Sequence, residues 1–136
     1  MTEISLIVPC YNEEQNVEAF FARCLEVFPT ERFEAVFVND GSKDGTYKKL
    51  QALHKKYANV SVVNFSRNFG KESAIYAGLS YATGKYISII DADLQQDPEI
   101  VKHMVQILDE KPDVDVVAAY QEQRHEGKSM EWFKNR

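Results

Sequence analysis

The stretch YISIIDADLQQDPEIV, Tyr86–Val101, ends an apolar run in two aspartates separated by a single alanine. Carboxylates that close repel, and each favours protonation of the other. In an extended segment residues i and i+2 point the same way, so Asp91 and Asp93 can face one cation. A hard divalent ion, Mg2+ or Mn2+, relieves the repulsion and keeps coordination positions open for phosphate oxygens. Gln95, two residues further on, can add a neutral oxygen. The competing reading is a solvated turn ahead of a helix that Asp97 caps. A lone Asp-x-Asp decides nothing, so its neighbours must.

Three other apolar runs end in unusual polar residues: Pro9-Cys10-Tyr11-Asn12-Glu13-Glu14, Asn39-Asp40-Gly41-Ser42 and Ser66-Arg67-Asn68-Phe69-Gly70-Lys71. Asp40 suits either Asp-Gly turn chemistry or acceptance from the N–H groups of a nucleobase, and spacing leaves both open. Tyr11 can stack on a base, while Glu13 also fits as a first-turn acid favoured by the helix dipole. Arg67 and Lys71 flank Gly70 at the start of a helical segment, where cations and free N–H groups make a phosphate site. Arg124, near His125 and Lys128, fits a bidentate diphosphate clamp, although a solvated tail explains it nearly as well. No Gly-x-Gly-x-x-Gly or Walker sequence is present, which disfavours a dinucleotide cofactor or a P-loop ATPase. His54 and His103 lie in helical segments and read as structural.

Short apolar runs alternating with helical periodicity must position these residues. Strands are expected at 4–8, 33–38, 60–65, 85–90 and 114–120, nearly all too uniformly apolar for a wet face; Glu34 is the exception. The first helix carries Val17, Phe20, Phe21, Cys24, Leu25 and Phe28 on one side, with Asn12 as cap and Gln15 completing a capping box. The second runs from about Asp44 to Tyr57. The third covers roughly 71–83, with Ile75, Gly78, Leu79 and Ala82 inward and Gly84 as its C′ glycine. The fourth starts at Asp97-Pro98. Such alternation implies βαβ units in a right-handed, doubly wound α/β sheet, whose ligands gather beyond the carboxyl ends of the strands.

The 136 residues suit one core; 44% are hydrophobic and 27% charged, with no disordered bias. A net charge of -5 argues against nucleic acid or anionic lipid as a partner of the whole surface. Cys10 and Cys24 form no CxxC pair and read as reduced core thiols of a cytosolic protein. No signal peptide is visible and no run reaches the roughly 18 apolar residues of a membrane span, so the chain is expected to be soluble as given.

VPCYNEE, VNDGSKDGT, FSRNFGKESAIYAGL and DADLQQDPE, in this order, resemble the family-two glycosyltransferases. More narrowly they look like the polyprenyl-phosphate branch, which includes dolichol-phosphate mannosyltransferase and bactoprenol glucosyltransferase. The resemblance runs from Ile4 to about Arg124. It implies a GT-A, Rossmann-like, doubly wound and mostly parallel sheet with helices on both faces, truncated here after the fifth strand. It also implies a UDP- or GDP-linked sugar donor, Mg2+ or Mn2+, and a polyprenyl phosphate acceptor. Pro9, Tyr11, Glu13, Val38 and Asp40 would hold the nucleoside, and Asp91, Ala92 and Asp93 would meet ribose and diphosphate. Asp91, Asp93 and Gln95 would form the metal site, and Asp93 and Arg124 would carry the transfer, although QEQRHEG is a looser match around Arg124.

The implied reaction is one inverting displacement of hexosyltransferase type, with no strong general base because a lipid phosphate is already an anion. Two alternatives keep the donor site: a saccharide hydroxyl as acceptor, or a donor-binding module inactive without a C-terminal part. On this reading 1–124 is the nucleotide-sugar domain and 125–136 the incomplete start of an acceptor-side or interfacial segment. The aromatic pair and basic ends of MEWFKNR suit an interfacial helix. The full-length protein is then expected at the cytoplasmic face of a membrane, and self-association into a homo-oligomer is compatible with it.

Overall fold

Seven residues near the head of the chain, Ile4–Cys10, are buried at every position, which only a strand covered on both faces achieves. The computed structural model describes residues 2–121 and 128–134 of the chain. Ile4–Cys10 is β1, followed by α1 (Val17–Val27), β2 (Phe33–Asn39), α2 (Thr46–Lys56), β3 (Val60–Asn64), α3 (Lys71–Leu79) and β4 (Tyr86–Ile89). These strands form one parallel sheet in the order β3-β2-β1-β4. Building outward from β1 to β3 and then returning to β4 reverses direction. Right-handed crossovers therefore set α1 and α2 on one face and α3 on the other.

Phenylalanines fill the first face. Phe20 and Phe21 of α1 meet Phe37 of β2 at centroid separations of 6.2 and 6.3 Å, and Phe21 also lies 4.9 Å from Tyr57. Each such buried ring contributes about 1.5–3 kcal/mol of transfer free energy. Helix α1 begins at Val17, later than a cap at Asn12 would give, because Asn12 takes a positive φ of 53° and turns the chain. Its side chain serves a neighbouring loop instead.

On the second face α3 lies so close to the sheet that its buried residues are Ala74 and Gly78, while Leu79 is exposed and Ile75 half-buried. A Cβ on Gly78 would stand 2.5 Å from Ile7 Cγ2 and 3.3 Å from Val38 Cγ2. The expected inner face was too bulky for that spacing. Nor does Gly84 end the helix, which stops at Leu79. Gly84 lets the returning chain pass against β1, where a Cβ would sit 2.9 Å from the Ser5 nitrogen. There Ser5 Oγ accepts from the Gly84 N–H and donates to Glu34, whose carboxylate also takes the Thr83 N–H and hydroxyl. The acid that interrupts β2 is thus a clamp at the amino edge of the sheet.

The chain divides into two contact units, one running to Pro98 and the other beginning at Glu99. The second holds α4 (Pro98–Glu110), apart from its first residue, and a hairpin of β5 (Val114–Gln121) with β6 (Lys128–Lys134). The expected fifth strand therefore exists but pairs antiparallel with β6 and is not part of the parallel sheet. Of the segment read as an interfacial helix, residues 130–134 belong to strand β6, and the rest lies outside the described residues; so short a stretch cannot nucleate a helix alone, and aromatic residues have high strand propensity.

Gly78→Leu should lower the unfolding free energy by about 2–3 kcal/mol through overpacking against Ile7. Tyr76→Leu, on the exposed side of the same helix, should leave it nearly unchanged. Urea denaturation of the two variants measures both.

Candidate active site

The register sets Cys10 beside Asn39 and Asn39 beside Asn64, with Ile7 beside Ile89. The loops that follow all four strands consequently emerge along one carboxyl edge. Sheet order reverses between β1 and β4, where open α/β sheets leave a ligand crevice. A cleft of about 270 Å³ lies there, lined by Pro9, Cys10, Tyr11, Glu13, Asp40, Lys71, Asp91 and Asp93.

Seven of those eight residues are ones the sequence points to. Cys10 is the eighth; its place between Pro9 and Tyr11 at a strand end was the available signal. Asp91 and Asp93 reach the cleft from a turn rather than from extended chain, with Ala92 fully buried between them. Val38 is fully buried within β2, with its side chain near Gly78 of α3, and is not part of the cleft lining. Gln95 is exposed, and its backbone N–H donates to Asp93 Oδ1 at 3.1 Å. Arg124 lies outside the described residues.

Asp40 organises the edge. It is only 4% exposed. Its carboxylate accepts from the N–H of Phe69 at 2.7 Å, the N–H of Gly70 at 3.1 Å and the Asn68 side-chain amide at 3.1 Å. Gly41, at φ 71°, presses against the backbone of Arg67 and Asn68 so closely that a side chain there would overlap it. The loop after β2 is thereby fastened to the loop that launches α3. The carboxylate thus lines the cleft while holding its wall.

A second fastening joins the loops after β1 and β2. Asn12 Oδ1 accepts from the Lys43 N–H and its own N–H donates to Ser42 Oγ, each at 2.9 Å. The Glu13 N–H donates to Thr46 Oγ1 at 2.9 Å, and Glu14 Oε1 accepts from the Gly45 N–H at 3.1 Å. Asp44 accepts from both the N–H and hydroxyl of Thr46, capping α2. Slight burial works against its charge, but the bonds from Thr46 and the Glu14 N–H outweigh that and hold its carboxyl below the usual range. His54 is structural, its Nδ1 lying 2.7 Å from the Val60 carbonyl oxygen.

The cleft is electronegative. Burial pushes the Cys10 thiol far above its ordinary value, and the nearby charges of Glu13 and Asp91 push the same way. Among the described residues that line the cleft, the cation answering that charge is Lys71, whose Nζ lies 2.9 Å from Asp91 Oδ1. Among the described residues no group of three or more His, Cys, Asp or Glu stands ready to hold a metal ion. Two carboxylates in an open cleft, one already drawing a cation, nevertheless fit Mg2+ or Mn2+. Such ions take few protein oxygens and complete their shell with water and substrate phosphate.

A parallel sheet with acid-lined loops at the β1/β4 switch point is an architecture of GT-A type, and comparison with known proteins agrees. Residues 5–135 match the model of glycosyl transferase family 2, and the chain belongs to that family. It is 39% identical over 137 residues to the prophage bactoprenol glucosyl transferase homolog of Escherichia coli, covering 96% of this chain and 44% of that one. It is 33% identical over 118 residues to the dolichol-phosphate mannosyltransferase of Pyrococcus furiosus, covering 87% and 33%. Among solved structures, a mannosyltransferase of Pyrobaculum calidifontis in complex with GDP-Man and Mn2+ superimposes with a TM-score of 0.76 at 27% identity, covering 90% and 36%. The chain spans less than half the length of the curated relatives it matches.

Asp40→Ala should expose the Phe69 and Gly70 amides to faster hydrogen exchange and remove about 2–3 kcal/mol of stability, because buried donors lose their acceptor. Acid titration of stability tests Asp44. A carboxyl depressed in the folded state stabilises above its unfolded value, near 3.8, and that contribution disappears as pH falls through the lower folded value. Asp44→Asn should flatten the stability profile in that acid window, read as urea midpoint against pH.

Proposed function

We propose that this chain is the donor-binding portion of an inverting, divalent-metal-dependent glycosyltransferase that moves a sugar from a nucleoside diphosphate to a polyprenyl phosphate. The observation that carries the reading is the single cleft shared by Tyr11, Asp40, Lys71, Asp91 and Asp93. The names of the relatives support the acceptor class, and the Mn2+ and GDP-Man of the Pyrobaculum enzyme support the donor and metal.

Tyr11 offers a face to the base, and Asp40 fixes the wall against which base and ribose rest. Asp91 and Asp93, with Gln95 beside them, would hold the metal, which supplies positive charge to the departing diphosphate. Lys71 adds a cation on the same side, and Arg124 takes the second phosphate contact on sequence alone. An acceptor phosphate oxygen attacks the anomeric carbon as the bond to the diphosphate oxygen breaks, inverting the centre and releasing a nucleoside diphosphate. Because that oxygen is already anionic, no proton needs removal, which suits a cleft whose carboxylates are committed to cations and amides. An acceptor of this kind keeps the working protein at the cytoplasmic face of a membrane.

Calorimetric titration with UDP- and GDP-sugars, with and without Mn2+, tests the reading on wild type and Asp93→Ala. Binding should require Mn2+ and weaken about 10- to 100-fold in the variant. Equal, metal-independent binding in both proteins would remove the metal role, and no binding of either nucleotide would remove the donor site.

A further inference from the structure

Lys71 occupies an unusual position for a phosphate ligand. Its ammonium is already engaged, 2.9 Å from one oxygen of Asp91, with 59% of its own side chain and 43% of the aspartate's exposed. Its root is fixed, because the two residues before it give their amides to buried Asp40. Its arm is long and largely exposed. Nothing lies within 4 Å of where a side chain on Gly70 would be, so the space beside the root is open.

From this geometry we propose that Lys71 is a displaceable counter-ion: it neutralises Asp91 until donor and metal arrive, then transfers to the diphosphate. The inference rests on the donor-site reading above and adds an ordering to it. Ammonium and divalent cation compete for the same aspartate oxygen, so metal alone meets an opposing charge. When a diphosphate accompanies the metal, one pair is exchanged for two: Asp91 with the metal and Lys71 with a phosphate oxygen. Asp91 and Lys71 each face an opposite charge both before and after the exchange. An exposed ion pair is weak enough to break readily. Lys71 therefore couples the two ligands, making each bind better in the presence of the other, and the coupling must be the same in both directions.

The sign of one measurement separates this role from a structural one. Mn2+ alone is titrated into wild type, Lys71→Met and Lys71→Arg, with affinity read from paramagnetic broadening of amide signals around residues 91–93. UDP and GDP are then titrated with and without Mn2+. Lys71→Met should bind Mn2+ alone about two- to fivefold tighter than wild type. The factor by which Mn2+ improves nucleotide binding should shrink by at least as much, and Lys71→Arg should behave as wild type. A lysine that merely supports the loop would weaken both ligands when removed. Equal Mn2+ affinity in wild type and Lys71→Met, or looser binding in the latter, would overturn the counter-ion role while leaving the donor site standing. Mn2+ broadening absent from all three proteins would overturn the metal reading and this inference together.

Discussion

One buried carboxylate governs the carboxyl edge of the sheet. Asp40 accepts from two consecutive backbone amides and a side-chain amide of the 68–70 loop, and so converts a nine-residue helix start into a fixed wall. A buried carboxylate without donors would be expensive. Gathering them on one acid sets the direction of α3 and the root of Lys71. With Asn12, Glu13 and Glu14 binding the adjacent loops, three of the four strand ends are held before any ligand arrives. Binding in the cleft then requires little ordering of these loops, which favours affinity.

The two edges of the sheet do different work. At the amino edge, Glu34, Ser5, Thr83 and Gly84 form a closed set of hydrogen bonds that delivers β4 alongside β1. At the carboxyl edge, β4 delivers Asp91 and Asp93 to the cleft. Between them, Gly78 brings α3 against Ile7 and Val38. The hydrogen bonds at Thr83 and Gly84 and the acids of the cleft thus stand at opposite ends of the same strand.

The strands themselves, the inner face of α1 and the cleft's acids were legible because they follow from apolar periodicity and from polar residues collected at strand ends. What escaped were choices decided in three dimensions. Asn12 looks like a cap, yet its partner is 31 residues away in the β2 loop, a contact no local pattern encodes. Gly84 sits at C′ spacing but answers to the close passage of β1. The large residues of α3 face outward because sheet and helix approach at glycine distance. Glu34 appears as an impurity in a strand until the hydroxyls of Ser5 and Thr83 are brought to it. The fifth strand was visible as a strand, but its partner was not, since β-propensity does not specify pairing.

Both cysteines are unpaired and buried, Cys10 at the end of β1 and Cys24 in the middle of α1. Burial, with Asp97 nearby, pushes the Cys24 thiol up to about 12, and that of Cys10 lies higher still. Only thiolate reacts with alkylating or disulfide reagents, so burial and the raised thiol values both slow such reactions in the folded molecule. Whatever label the pair accumulates under folding conditions therefore counts openings at two places, the end of β1 and the middle of α1, without any probe being introduced.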